Sequence, residues 1–304
     1  MKRSHESHMR WAIALALEGA GRTSPNPMVG AVVVKGGRVI GEGYHARAGE
    51  PHAEVHALSR AGRRALGATL YVTLEPCCHE GRTPPCVGAI IAAGIREVVV
   101  GTRDPNPRVD GRGIRALRRA GVSVVEGVLE ESCREMNEPY NRFITSGVPF
   151  VVAKVGLSLD GKIAAASGES KWITNEQCRA YVHRMRAGAD AVIVGAGTVR
   201  RDDPRLDARV PGRAGRQPRA IVVDEALRIP RSAKIFKRRP GELTVATTRR
   251  APKAMLRFVE DMGHEAIVCR ADPRGRVLVP HLMKELGKRG VTFAILEGGG
   301  LLFA

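Results

Sequence analysis

Segments typical of β-strands and of α-helices alternate along this chain, and the alternation limits the folds open to it. Strands that alternate with helices form layered α/β domains in which at least part of the sheet is parallel. One hydrophobic core rarely extends beyond about 250–300 residues, so a chain of 304 residues is long enough for two domains. A seam near Gly147–Pro149 separates them, and we expect domains at 1–147 and 148–304.

The predicted elements are best defined in the first half. Gly36-Gly37 between two strand-like runs predicts a hairpin, and Glu130–Ser146 is typical of one connecting helix. The strands of this half are expected at 29–35, 39–44, 68–74, 97–101 and 122–126, the first two being those of the hairpin. Its other helices are expected at about 52–61, 86–93 and 113–120. In the second half we expect strands at 150–156, 189–194, 219–223, 243–247 and 292–296.

The net charge of +18 is compatible with two kinds of partner. Clustered basic residues neutralise the phosphates of nucleic acids, whereas dispersed ones also suit an enzyme whose small substrates carry phosphate. The arginines are spread along the chain, and aromatic residues, which stack on single-stranded bases, make up only 4%. We therefore expect a phosphorylated small molecule as the partner and no nucleic acid.

The first twenty residues resemble a signal peptide only faintly. The apolar run Trp11–Leu17 is short, and His5, Glu6 and His8 precede it, so an amphipathic helix is favoured. No apolar stretch approaches the length that spans a bilayer. We expect a cytoplasmic protein, a homo-oligomer, with no membrane partner.

Three of the six cysteines lie within ten residues, which indicates a metal site rather than a disulfide framework. The motif combines His52-Ala53-Glu54 with Glu75-Pro76-Cys77 and Pro84-Pro85-Cys86. His52, Cys77 and Cys86 are suitable ligands for a zinc ion with three protein ligands and one open position. Such a zinc lowers the pKa of bound water and provides the hydroxide that hydrolytic deamination needs at neutral pH.

The placement of these residues supports a catalytic site. His52 and Cys86 follow prolines at predicted helix starts, where the helix dipole stabilises negative charge. Glu54, in the same first turn as His52, would carry the proton from water to the leaving amine. Two alternatives are core thiols and a closed structural zinc site completed by Cys78 or His79. A closed site would leave Glu54 without a function, so the catalytic zinc is favoured.

Four segments, 25–30, 49–57, 73–77 and 81–86, resemble the bifunctional deaminase–reductase family of riboflavin biosynthesis. Eight residues separate Cys77 from Cys86, as in that family, whereas nucleic-acid and cytidine deaminases usually have two. Cys78 stands where the family usually has serine. The resemblance implies a cytidine-deaminase-like three-layer domain that uses Zn²⁺. It also implies that the substrate is a diaminopyrimidinone with a phosphoribosylamino group, which is deaminated to the uracil.

The resemblance further implies that Asn26, His45 and Arg82 surround the pyrimidine and its phosphoribosyl group. Asn26 offers a donor and an acceptor to a ring edge, and Arg82 suits a phosphate. A purely structural role for Asn26, in a turn between two prolines, is equally open.

Segments of the second half, at 154–162, 167–174, 195–199, 202–206 and 297–300, resemble the reductase half of the same family, whose fold is like dihydrofolate reductase. No Gly-x-Gly-x-x-Gly fingerprint indicates a Rossmann domain. The resemblance implies reduction of the ribose to a ribityl chain with NADPH. The residues it implies around the cofactor are Gly156, Trp172, Thr198, Asp202, Gly298, Gly299 and Gly300. Those it implies around the sugar phosphate are Ser170, Arg186, Leu206, Arg209 and Glu297, with Lys154 as an acid near the reacting carbon.

The family normally continues some tens of residues beyond the position of Ala304. We therefore expect a truncated reductase domain in this chain, with Leu301, Leu302 and Phe303 partly exposed and with weak NADPH binding. Two other functions stay open, a deaminase of nucleic-acid bases and a non-catalytic zinc scaffold. The long zinc loop and the reductase-like half disfavour the first, and the second predicts no effect of losing Glu54.

Overall fold

The computed structural model describes residues 2–80, 84–165, 167, 173–212, 216–298 and 302. The contacts of the chain divide it into two units, Met1–Ser146 and Gly147–Ala304. Each unit is built on one β-sheet with helices packed on both faces, which is the α/β class expected from the alternating pattern.

The sheet of the first unit has five strands in the order β2-β1-β3-β4-β5. β1 is antiparallel to β2 and β3, while β3, β4 and β5 are parallel. Gly36 and Gly37 have φ of +55° and +74° and join β1 to β2 in the predicted hairpin. The strands are β1 Gly30–Lys35, β2 Arg38–Tyr44, β3 Thr69–Leu74, β4 Glu97–Thr102 and β5 Ser123–Glu126.

Two apolar layers enclose this sheet because successive side chains of each strand point to opposite faces. In β1, Ala31 and Val33 pack with α2 and α3, whereas Val32 and Val34 pack with α1 and α5. The helices are α1 Lys2–Leu17, α2 Ala53–Ala61, α3 Cys86–Ala92, α4 Arg112–Arg119, α5 Glu130–Met136 and α6 Glu138–Ser146. Gly62–Ala65 adds one 3₁₀ turn.

Two glycines of β2 allow α2 to lie close against the sheet. A Cβ atom at Gly41 would lie 2.2 Å from the Ala57 carbonyl oxygen, and one at Gly43 would lie 2.8 Å from the Ala53 carbonyl oxygen. Only glycine permits this approach without moving the helix. Since α2 begins directly after His52, the two glycines also determine where that histidine lies.

The single helix expected over Glu130–Ser146 is wrong, because the structure has two helices with a break at Asn137. The Asn137 side chain is buried and makes two hydrogen bonds of 2.8 Å to the backbone of Met28. Its Oδ1 accepts from the Met28 N–H, and its Nδ2 donates to the Met28 carbonyl oxygen. These bonds tie the 24–28 loop to the start of α6.

The sheet of the second unit is entirely parallel, in the order β10-β9-β8-β7-β11-β6. After β6 the chain passes over one strand position to β7 and continues outward to β10. It then returns to place β11 between β6 and β7. The strands are β6 Phe150–Lys154, β7 Ala191–Gly195, β8 Arg219–Val223, β9 Leu243–Thr247, β10 Glu265–Val268 and β11 Phe293–Glu297.

The helices of this unit are packed in two layers. α8 and α9 contribute to one apolar cluster with Val194, Val222 and Val245, and α10 packs on the opposite face against Ile193 and Ile221. The helices are α7 Glu176–Gly188, α8 Ala196–Asp202, α9 Lys253–Asp261 and α10 Val279–Lys288, and Lys234–Lys237 forms a 3₁₀ turn. Within the described part of the chain, none of the helices has the length and apolarity required to cross a bilayer.

We expect Asn137→Ala to lower the free energy of unfolding by about 1–3 kcal/mol, since both polar groups of Met28 lose a buried partner. Urea denaturation followed by circular dichroism measures this change. Asn141→Ala is the matched control, because Asn141 lies four residues on and its side chain donates to a single carbonyl, that of Arg134. Equal effects of the two substitutions would contradict the role of Asn137.

Candidate active sites

Three side chains from separate segments of the first unit converge on one point. The ligand atoms of His52, Cys77 and Cys86 all lie within 4.8 Å of one another. His52 Nδ1 is 3.2 Å from Cys86 Sγ and 3.5 Å from Cys77 Sγ. Atoms that bind one zinc ion tetrahedrally at usual bond lengths lie about 3.5 Å apart, so this donor set fits zinc.

Local structure explains the convergence. His52 is the N-cap of α2, Cys77 follows the end of β3, and Cys86 is the first residue of α3. Prolines at 51, 76 and 85 precede the three ligands and hold the chain extended before each of them. The Cys86 N–H at the helix start donates to Cys77 Sγ at 3.3 Å, which stabilises negative charge on that sulfur.

The Cys77 and Cys86 thiols interact, and each shifts the pKa of the other. A hydrogen bond from the Cys86 thiol, together with those from His52 and the Cys86 N–H, lowers the pKa of Cys77 to about 4, although burial opposes the shift. The same Cys77 interaction raises the pKa of Cys86. Cys77 is therefore the sulfur that favours the thiolate form, which is the form that binds a metal ion.

Glu54 is 3% exposed and lies beside this cluster. Its carboxyl group interacts with the Cys86 thiol, and burial followed by the nearby Cys77 raises its pKa. Charge on the neighbouring His52 lowers this pKa, but less strongly than burial raises it. The group is thus able to take up and release a proton, unlike a carboxylate held in an ion pair.

Glu75 is a site residue whose function the sequence did not indicate. Its buried carboxylate accepts from four backbone N–H groups at the start of α4 and in the loop before it. The distances are 2.9 Å from Gly111 and Gly113, 3.2 Å from Ile114 and 3.4 Å from Asp104. Because Glu75 is two residues before Cys77, these bonds hold the ligand loop against the sheet.

A cavity of about 380 Å³ opens beside the ligand cluster and is bordered by His52, Glu54 and Cys77. Asn26 and His45 border it as well, with Asn26 Nδ2 3.1 Å from His45 Nε2. His45 Nδ1 lies 3.3 Å from the Pro51 carbonyl oxygen, and burial lowers the pKa of His45. A neutral ring that donates from Nδ1 to Pro51 accepts from Asn26 at Nε2.

Other residues of this cavity could not be recognised from sequence. The Tyr140 hydroxyl donates to Asp104 at 3.0 Å, and burial raises the pKa of Asp104. Phe143 and Ile144 of α6 supply an apolar border. His79, an alternative zinc ligand in the sequence, also borders the cavity, and its buried Nδ1 has no hydrogen-bond partner among the described residues.

In the second unit, Glu297 connects two predicted site residues. Its carboxylate accepts from Arg186 Nε at 2.7 Å and from Arg186 Nη2 at 2.8 Å, and Lys154 Nζ lies 3.0 Å away. Lys154 and Glu297 are paired in register at the carboxyl ends of β6 and β11. Burial alone would raise the pKa of Glu297, but Arg186 and Lys154 together hold it below its usual range.

Two cavities of this unit contain the other predicted residues that the structure describes. One of about 1130 Å³ is bordered by Lys154 and by four residues predicted to bind the cofactor: Gly156, Thr198, Asp202 and Gly298. The other, of about 1000 Å³, is bordered by Arg186, Asp202, Leu206 and Arg209. The Leu206 side chain is only 3% exposed and packs in the core.

Some predicted residues lie outside the described part of the chain. They are Arg82, Ser170, Trp172, Gly299 and Gly300, together with Leu301 and Phe303, for which we expected partial exposure. Leu302 is partly buried and packs on the apolar cluster of α10.

Two family models match the chain. The cytidine and deoxycytidylate deaminase zinc-binding region matches residues 2–102, and the RibD C-terminal domain matches residues 149–304. The riboflavin biosynthesis protein RibD of Aquifex aeolicus is 45% identical over 301 residues, which cover 96% of this chain and 83% of that protein. The chain belongs to the RibD family.

Other relatives agree with this membership. RibD of Escherichia coli is 42% identical over 314 residues, covering 98% of this chain and 82% of the relative. The solved structure of Acinetobacter baumannii RibD superposes with a TM-score of 0.89 at 39% identity, covering 99% of this chain and 82% of that one. A deaminase/reductase structure from Thermotoga maritima gives 0.87 at 40% identity, with coverages of 99% and 83%.

Membership in the RibD family defines the activities of the chain. It is a bifunctional enzyme of riboflavin biosynthesis, with a zinc-dependent deaminase domain and an NADPH-dependent reductase domain. The second domain has the dihydrofolate-reductase-like fold expected from the resemblance. The substrate of the enzyme is a phosphorylated pyrimidine.

We expect Glu75→Gln to lower stability by about 2–3 kcal/mol and to weaken zinc retention, because the amide's own N–H group would face backbone donors. Thermal denaturation and metal content after dialysis measure the two effects. Glu80→Gln is the matched control, since Glu80 is an exposed residue in the same loop. Unchanged metal content in Glu75→Gln would exclude a role in holding Cys77.

Proposed function

We propose that His52, Cys77 and Cys86 hold the zinc ion of the deaminase and that Glu54 is its proton carrier. The observation that carries this proposal is the convergence of three donor atoms beside a cavity that also exposes a buried carboxyl group. Zinc bound there would lower the pKa of a water molecule and make hydroxide available at neutral pH. Three protein ligands leave one position open for that water.

Glu54 accepts the proton of the water and delivers it to the leaving amine. Its burial suits this role, since the raised pKa brings the charged and the neutral carboxyl group closer in energy near neutral pH. The group returns to its starting state once ammonia has left, so the proton balance of hydrolysis closes at this one residue.

The substrate is a diaminopyrimidinone with a phosphoribosylamino group, and Asn26 and His45 hold its ring. The hydrogen bond from Asn26 Nδ2 to His45 orients the amide and leaves Asn26 Oδ1 for a ring N–H. Phe143 and Ile144 exclude water from the ring face. Asn137 supports this arrangement because it fixes Met28, two residues from Asn26.

Lys154 is the acid of the reductase, and Glu297 positions it. NADPH, when bound, supplies the hydride that reduces the ribose carbon. Lys154 donates a proton to the sugar oxygen, and its ammonium group is held at 3.0 Å from Glu297. Arg186, which grips the same carboxylate with two hydrogen bonds, also borders the cavity proposed for the sugar phosphate.

The zinc proposal predicts different defects for two substitutions. Cys86→Ala removes a ligand, so we expect loss of both metal and deamination, whereas Glu54→Gln should keep one zinc per chain and lose turnover by at least about 100-fold. Metal analysis by mass spectrometry and a deamination assay measure both. A Glu54→Gln protein with a near-normal rate would exclude the proton-carrier role.

The reductase proposal predicts that Lys154→Gln lowers the reduction rate by about 100-fold or more, since the proton donor is lost. NADPH affinity should change little, and deamination should be unaffected. Single-turnover reduction and calorimetric titration of NADPH separate the two steps. Lys162→Gln, at an exposed loop position of the same segment, is the control. A normal reduction rate in Lys154→Gln would refute the assignment.

A further inference from the structure

The larger cavity of the second unit runs along the carboxyl ends of its parallel strands. Lys154 ends β6 at one side, Thr198 follows β7, Arg228 follows β8, and Arg250 follows β9. β6 and β9 are separated by four strand spacings in the sheet order, which corresponds to about 19 Å. An extended dinucleotide with its nicotinamide near Lys154 would therefore place its adenosine end near β8 and β9.

The cavity has two guanidinium groups at the adenosine end. Arg228 and Arg250 are both exposed, and within the described ranges neither guanidinium has a hydrogen-bond or ion-pair partner. Arg250 lies against Gly275, where an added Cβ would be 2.8 Å from its Nη1. A third arginine at this end, Arg276, is already paired with Asp272 at 2.9 Å. Two cations are thus free to bind a ligand.

Two acidic residues, Asp224 and Glu225, follow β8 at the border of this cavity. In Rossmann-type sites that prefer NADH, a carboxylate near a strand end binds the ribose hydroxyls and disfavours a phosphate. The Asp224 carboxylate is 2% exposed, and its Oδ2 accepts from the N–H groups of Arg228 and Ile229 at 2.6 and 2.8 Å. The Asp224 carboxylate thus forms hydrogen bonds within the loop that carries Arg228, and it does not oppose an anion in the cavity.

We propose that Arg228 and Arg250 together bind the 2′-phosphate of NADPH and so produce the preference for NADPH over NADH. This inference rests on the proposed reductase function, with NADPH bound in the larger cavity. It adds the residues that select between NADPH and NADH. A guanidinium group matches phosphate with two parallel hydrogen bonds, and its charge does not titrate near neutral pH. The two groups approach from adjacent strand ends, so a phosphate between them would be bound from two sides.

The test is calorimetric titration of the zinc-loaded chain with four ligands: NADPH, NADH, adenosine 2′,5′-bisphosphate and ADP. Arg228→Ala and Arg250→Ala should each raise the Kd of NADPH and of the 2′,5′-bisphosphate about 10-fold, and leave those of NADH and ADP within about twofold. The backbone N–H of Arg228 survives its substitution, so the Asp224 bonds persist. Arg249→Ala is the matched control, because Arg249 is exposed, adjacent in sequence and outside the cavity lining.

The outcomes separate this inference from the proposed function on which it rests. If the variants keep the wild-type ratio of the Kd values for NADPH and NADH, or raise both Kd values equally, the inference is wrong. Reduction with NADPH by the wild-type chain would still support the proposed function. An effect of Arg249→Ala equal to that of Arg250→Ala would also overturn it, since charge alone would then explain selectivity. A wild-type chain that binds neither dinucleotide would overturn both.

Discussion

Parallel strands end at one edge of a sheet, and that geometric constraint locates the chemistry in both domains. The backbone groups and side chains that follow neighbouring strands lie close together at that edge. In the deaminase domain the segment after β3 carries Cys77, and Asp104 lies just beyond β4. In the reductase domain Lys154 and Glu297 meet because β6 and β11 are adjacent and in register. A shift of either register would separate partners that the chemistry requires together.

Three buried carboxyl groups show how surroundings assign different tasks to one functional group. Glu75 accepts four backbone N–H groups and acts as structural support. Glu297 is paired with two cations, so its pKa is lowered and it stays charged. For Glu54, burial outweighs the opposing interactions with the backbone, His52 and the Cys86 thiol, so its pKa is raised. Of the three, only Glu54 is suited to exchanging a proton at neutral pH. The different surroundings of the carboxyl groups thus assign one of them to acid–base chemistry and the others to structural roles.

The sequence predicted those parts of the molecule that depend on local pattern. Valine-rich runs identified strands such as β1 and β4 because both faces of these strands are buried. Ligand types beside prolines predicted His52, Cys77 and Cys86, whose donor atoms converge in the structure and which we propose as the zinc ligands. The break at Asn137 could not be predicted, since its cause is a contact with Met28, 109 residues away. β10, with four residues, is too short to show a period, and the separate helices of the reductase domain were not distinguished. The oligomeric state and cytoplasmic location stay predictions.

The insertion of β11 between β6 and β7 has a consequence for how the polypeptide acquires its structure. Phe150 pairs with Phe293, so the first and last strands of this sheet become neighbours only after the intervening chain has been synthesised. Until then β6 has no partner strand and β7 has one unpaired edge, both of which expose apolar side chains and free backbone groups. During synthesis the deaminase domain can fold first, because its strand pairings are closer in sequence. The reductase domain can complete its sheet only after β11 has been synthesised. During that interval the unpaired strand edges are the part of the nascent chain most open to aggregation.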